Sequence, residues 1–117
     1  MRIGHCQLVS TPGAFEQNLA KMVQHLGQAH DDRVAILSFP ECYLTGYQDT
    51  EAQVREHAFA TDSAQMTQVL EQTAPFDPTV IVGFNELRGT QLYNTCLVAH
   101  RGKLLGLYSK CAAYMKF

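Results

Sequence analysis

Glu41 and Lys110 are the residues of this sequence best placed to do chemistry. Glu41 follows the apolar run Val34-Ala35-Ile36-Leu37 and the stop set by Pro40. In α/β sheets, functional groups collect just beyond the carboxyl ends of strands. A carboxylate there, set behind apolar residues, has its charged form disfavoured by desolvation, which predicts a raised pKa and a role as general base. Lys110 follows a second apolar run, Leu104-Leu105-Gly106-Leu107-Tyr108. A fixed ammonium at such an end can stabilise negative charge that develops on an oxygen or nitrogen. Taken singly, each residue also suits a surface position: a glutamate solvated in its loop, a lysine whose stem lies over apolar neighbours.

Thiol chemistry needs an activating base or cation nearby. Cys42 adjoins Glu41 and Cys111 adjoins Lys110, so both are candidate nucleophiles. Both are weak ones, because successive side chains on a strand point to opposite faces. The four cysteines, Cys6, Cys42, Cys96 and Cys111, contain no C-x-x-C spacing. They read as reduced thiols, mostly small buried hydrophobes. His5, His25, His30, His57 and His100 show no H-x-x-x-H or H-E-x-x-H spacing, so no metal or other cofactor is expected. Neither G-x-S-x-G, a Walker A loop nor G-x-G-x-x-G occurs.

The elements that must position these residues follow from periodicity. A short strand is predicted over 2–9, then a turn at Ser10-Thr11-Pro12-Gly13. Phe15, Leu19, Met22, Val23, Leu26 and Ala29 trace one face of a helix that starts near Ala14. Val34 to Leu37 suits a strand buried on both faces, ended by Pro40. Thr50 with Gln53, and Asp62 with Gln65, are spaced as capping boxes for short helices over 51–59 and 63–73. Three strands close the pattern, over 79–84, 92–99 and 103–108, joined at Gly89-Thr90 and Arg101-Gly102. Early β-α-β alternation followed by hairpins implies an α/β fold with a mixed sheet.

The bulk numbers agree with a single globular domain. The 117 residues are 46% apolar and 17% charged, with a net charge of −2. No basic stripe is present, so a nucleic-acid partner is not expected. No apolar run approaches a bilayer span, and Met1 to His5 lacks the apolar core of a signal peptide. The expectation is a cytoplasmic protein without a membrane partner.

Taken together, the segments resemble the nitrilase superfamily of carbon–nitrogen hydrolases. Val34 through Tyr47 looks like that family's apolar strand, its F-P-E (Phe39-Pro40-Glu41) and its T-G-Y (Thr45-Gly46-Tyr47). The amphipathic helix before it stands where the family has its first helix. Val80 through Glu86 resembles the strand ending in Gly-x-x-Glu, and Tyr93-Asn94-Thr95 the Y-N-T strand. Gly102 through Lys110 resembles the G-x-x-x-G-x-Y-x-K strand. Each piece is weak, and the ordered set is specific. The stretch from Cys111 to Phe117 departs from the family's commoner K-T/x-H-L continuation, which leaves the branch and its substrate open.

The resemblance implies a four-layer α-β-β-α sandwich, of which residues 1–117 form the N-terminal portion as a single domain. It implies a Glu-Lys-Cys mechanism on an amide, N-carbamoyl compound or nitrile, with Glu41 as base and Lys110 steadying the tetrahedral intermediate. It puts Tyr47 forward as a substrate-binding residue. The family's cysteine follows its lysine by a few tens of residues, beyond Phe117, so this chain alone is expected to be inactive. Its sheet is expected to expose an unpaired edge or an apolar face, which needs cover or invites association into a homo-oligomer. The alternative is a non-catalytic binding or assembly module that keeps the hydrolase fold.

Overall fold

The computed structural model describes residues 1–110. Five strands form one mixed sheet in the order β1-β2-β3-β4-β5. The strands are β1 (Ile3–His5), β2 (Ile36–Ser38), β3 (Thr79–Arg88), β4 (Gln91–His100) and β5 (Lys103–Ser109). Helix α1 (Phe15–Asp31) connects β1 to β2, and α2 (Glu51–His57) and α3 (Ala64–Thr73) lie between β2 and β3. The β1–β2 and β2–β3 pairs are parallel, and β3–β4 and β4–β5 are antiparallel.

Right-handed crossovers that step in the same direction along a sheet place their helices on the same face. Accordingly α1 and α3 pack against each other over one side of the sheet. Leu19, Met22 and Leu26 of α1 and Met66 and Val69 of α3 meet Leu37, Val80, Val82, Phe84, Leu97 and Ala99 there. Strand alternation sends Ile3, Ile36, Ile81, Val98 and Tyr108 to the opposite face. Among the described residues no helix covers that face: Ile3 is 70% exposed and Tyr108 73%. The sheet therefore has one packed face and one bare apolar face. Among the described residues strand β5 is an unpaired edge, on which Leu105 is 57% exposed.

Several boundaries differ from the sequence expectation. β1 is three residues long, because its partner β2 is equally short and pairs only from Ile36 to Ser38. β3 runs on to Arg88 because β4 pairs with it as far as Arg88–Gln91. The Thr50–Gln53 capping box forms as expected. The Asp62–Gln65 box does not cap α3. Ser63 takes that position, in extended backbone, and its hydroxyl accepts from the Met66 N–H at 3.2 Å. Arg101 and Gly102 both adopt positive φ, as a tight two-residue hairpin requires.

Candidate active site

Glu41 sits on a loop that leaves β2 and folds across the bare face of β3. The loop is pinned from several sides. Phe39 N–H donates to the Ile81 carbonyl and Leu44 N–H to the Gly83 carbonyl, so the segment continues the pairing of β2 with β3. The Thr45 hydroxyl accepts from the Asn85 N–H at 3.1 Å. Cys42 holds a positive φ of 56° at the crest of the turn. Directly beneath lies Gly83, where a Cβ would come within 2.5 Å of the Cys42 nitrogen. Only glycine lets the backbone that carries Glu41 lie this close to the sheet.

The start of α1 holds the other side of the loop. Asn18, buried in the first turn, accepts from Thr11 N–H at 2.8 Å and donates to the carbonyls of Thr11 and Leu44. Gly13 N–H donates to the Thr45 carbonyl, and Gly46, at φ +77°, lies against the Pro12 backbone. Asn18 breaks the apolar stripe of α1. The sequence reading gave it no role, although a buried amide needs partners that a helix interior does not supply.

Lys110 approaches from the end of β5, where its N–H donates to the Asn94 carbonyl. Its ammonium donates to Glu41 Oε1 at 2.9 Å. The Tyr47 hydroxyl donates to Oε2 at 2.9 Å, and the Asn94 amide Nδ2 donates to Oε1. Glu41 is thus held by two neutral donors and one cation. The fold brings together three residues picked out in the sequence, Glu41, Lys110 and Tyr47, and adds Asn94. The signal for Asn94 lay in the Tyr93-Asn94-Thr95 segment, which carried the resemblance and no assigned function.

These contacts correct one expectation. Glu41 was expected to have a raised pKa. The Lys110 ammonium, with help from Tyr47 and Asn94, outweighs desolvation and holds the carboxyl below the usual carboxylate value. The reason is geometric: the side chain is 43% exposed, so burial is partial, and its charged form has three donors. Glu41 is therefore an ionised acceptor at neutral pH. Burial and the Glu41 carboxylate push Tyr47 up to about 12, which keeps the phenol a donor.

Glu41, Asn94 and Lys110 line a pocket of about 320 Å³ with Phe39, Gly83, Thr95, Cys96 and Tyr108, open on the bare face. The Cys96 thiol lines this pocket, and burial raises its pKa, so it stays protonated. Cys42 is 1% exposed and does not line it. Cys111, the other thiol considered, lies outside the described residues. Among the described residues, Cys6, Cys42 and Cys96 form no disulfide, no helix is long and apolar enough to cross a membrane, and no three His, Cys, Asp or Glu side chains gather as a metal site would require.

The model of one family, carbon–nitrogen hydrolase, matches residues 2–114. The chain belongs to that family. The glutamine-dependent NAD(+) synthetase of Thermotoga maritima is 31% identical over 110 residues, which are 94% of this chain and 19% of that protein. The enzyme of the same name from Aquifex aeolicus is 31% identical over 104 residues, 89% of this chain and 18% of its own length. This carbon–nitrogen hydrolase chain thus spans about a fifth of the length of the relatives it matches. Among solved structures, an amidase from Nesterenkonia sp. superposes with a TM-score of 0.74 at 20% identity, covering 97% of this chain and 44% of the amidase. A glutamine-dependent NAD(+) synthetase from Cytophaga hutchinsonii gives 0.72 at 23% identity, covering 94% and 19%. The mixed sheet with its helices is the nitrilase-type α/β fold that these structures share.

Proposed function

We propose that this chain supplies the base and the cation of a carbon–nitrogen hydrolase site that acts on a small amide, N-carbamoyl compound or nitrile. The observation that carries this reading is the contact of Glu41 with Lys110 at 2.9 Å, inside a pocket that opens on the bare sheet face. The names of the similar synthetases make a primary amide of the glutamine type the first substrate to test.

On this reading a cysteine thiol is the nucleophile. On the same reading it comes from polypeptide outside the described residues, since Cys42 is buried and the Cys96 thiol is directed to the Leu97 carbonyl, at 3.8 Å, and not to Glu41. As sulfur attacks the amide carbon, the thiol proton passes to the Glu41 carboxylate and the carbonyl electrons move to oxygen. The Lys110 ammonium faces that oxyanion. The intermediate collapses to a thioester, and ammonia leaves with the proton returned by Glu41. Glu41 then takes a proton from water, whose oxygen attacks the thioester and releases a carboxylic acid and the thiol. Tyr47 and Asn94 fix the carboxylate so that its free lone pairs face the reacting atoms.

The test compares the 117-residue chain with a polypeptide extended along its reading frame, on amides, N-carbamoyl compounds and nitriles. Turnover is expected from the extended form only. Glu41→Gln and Lys110→Met should each lower it by about 10²- to 10⁴-fold. A loss below tenfold in either would rule the site out, and turnover by the short chain would rule out the need for a further nucleophile.

The bare apolar face favours a second reading, a non-catalytic assembly module that associates through its sheet. Light scattering after size-exclusion chromatography separates the two. A monomeric short chain, with an active extended form, leaves the assembly reading without support.

A further inference from the structure

Behind the strands that carry Asn94 and Lys110, on the helix side of the sheet, lies a second polar cluster. Its centre is Glu86, 2% exposed and on none of the pocket walls. The Glu86 carboxylate accepts from Arg88 Nε at 3.0 Å and Nη2 at 2.9 Å. It also accepts from the Thr95 hydroxyl at 2.7 Å. That hydroxyl lies 2.9 Å from the Ser109 hydroxyl, and Arg88 Nη2 donates to Ser109 as well. Arg88 in turn lies 3.8 Å over the Tyr93 ring. The cluster thus ties β3, β4 and β5 to one another at a single level of the sheet.

That level is set by the site. Thr95 directly follows Asn94, and Ser109 directly precedes Lys110. Alternation sends Thr95 and Ser109 to the rear face, and Asn94 and Lys110 to the front. Thr95 and Ser109 are register partners, and the next step of the ladder is the Lys110 N–H bond to the Asn94 carbonyl. Among the described residues β5 is the edge strand of the sheet, and no outer strand there holds its last residues. A buried carboxylate is costly unless it is fully partnered. Its partners, here Arg88 and Thr95, are therefore tightly constrained, and through them so is Ser109.

We propose that Glu86, Arg88, Thr95 and Ser109 form a positioning cluster that fixes the end of β5, and with it the reach of Lys110 to Glu41. The inference rests on the reading of Glu41 and Lys110 as the working pair. Thr95 borders the pocket beside Asn94, but its hydroxyl is engaged by Glu86 and Ser109, and Glu86, Arg88 and Ser109 line none of the pocket walls, so each acts through the strand it sits on. A cluster with only a structural role would hold the fold and leave the Glu41–Lys110 contact unaffected.

The test reads that contact directly, by following the Glu41 carboxyl carbon through a pH titration of the folded 117-residue chain by NMR. Lys110→Met sets the scale, since it removes the cation and should raise the Glu41 midpoint toward the ordinary carboxylate value. Thr95→Val removes the bridging hydroxyl at nearly constant volume and should raise the midpoint by at least half as much. Thr95→Ser restores the hydroxyl and should restore the wild-type midpoint. Ser109→Ala, at the partly exposed strand edge, should act like Thr95→Val and decides the matter if Thr95→Val does not fold. A folded Thr95→Val or Ser109→Ala chain with the wild-type midpoint, beside a shifted Lys110→Met, overturns the proposal. So does a Lys110→Met chain with no shift. Failure of the catalytic reading looks different: turnover of the extended polypeptide would survive Glu41→Gln while the midpoints still moved together.

Discussion

Lys110 donates to Glu41 at 2.9 Å across 69 positions of sequence, linking the end of the edge strand β5 to the loop after β2. The contact leaves Glu41 depressed in pKa, with Lys110 the leading cause. A carboxyl whose folded pKa lies below its unfolded value adds stability above the unfolded value, near 4.3 for glutamate. That stability is lost as pH falls through the folded value. Stability of the wild-type chain should therefore decline in acid in part through Glu41. In Lys110→Met this part of the decline should shrink, as seen in urea unfolding midpoints between pH 7 and pH 3. Both side chains are about half exposed, so the difference should be small. An unchanged acid limb would mean that the pair does not persist in solution.

Gly83→Ala should be more damaging than its size suggests. The new Cβ would meet the Cys42 nitrogen at 2.5 Å and the Glu41 Cα at 3.0 Å, both backbone atoms that cannot rotate away. The loop must lift from β3, which breaks the Leu44–Gly83 bond or bends it. A loss of about 1–3 kcal/mol is expected, as for overpacking in a core. In an extended, active polypeptide, turnover should fall well beyond what that instability explains, because Glu41 moves with the loop. Chemical denaturation and assay at a temperature where both proteins are folded would separate the two effects.

Asn18 holds the same loop from the helix side. Asn18→Ala leaves Thr11 N–H and the Leu44 carbonyl without their side-chain partner. Buried groups left unpaired cost about 1–3 kcal/mol. Amide exchange is the sharper readout: protection should fall over 41–46 and in the first turn of α1, while the amides of β4 keep theirs. Uniform loss across the sheet would show that Asn18 serves global stability and not the loop.

Much of the fold was legible in the sequence. The stripe from Leu19 to Ala29 and the hairpins at Gly89-Thr90 and Arg101-Gly102 are local signals, set by period and turn chemistry. The element order followed from them. What stayed hidden was relational. Glu86 read as part of a motif, but its burial depends on Arg88, Thr95 and Ser109 meeting on the rear face. Asn94 read as a strand residue, and its role appears only when the Glu41 loop crosses the sheet. The direction of the Glu41 pKa was misjudged for the same reason. Desolvation can be guessed from apolar neighbours in sequence, whereas the donors that oppose it come from Tyr47, Asn94 and Lys110.

Tyr43 offers a further check on packing. Its ring is fully buried beside Phe39, and its hydroxyl has no hydrogen-bond partner among the described residues. An unsatisfied buried hydroxyl is a net cost, so Tyr43→Phe should leave stability unchanged or raise it by up to about 1 kcal/mol. A clear loss in the thermal midpoint would reveal a partner for that hydroxyl in solution.

The bare face and open edge make the last prediction. Ile3 stands 70% exposed on the face, and Leu105 stands 57% exposed on the edge strand. An exposed apolar face and an unpaired strand both promote association. Ile3→Lys with Leu105→Lys puts charge on each, and lysine on an edge blocks strand addition. In the 117-residue chain the double substitution should lower the mass seen by light scattering at high concentration, without loss of far-ultraviolet circular dichroism. In an extended polypeptide the opposite is expected if further chain covers the same face, since the buried lysine at position 3 would be costly. Its thermal midpoint should then fall. A double variant that behaves identically in both backgrounds would mean that the face is open in each, and would favour the assembly reading over the hydrolase one.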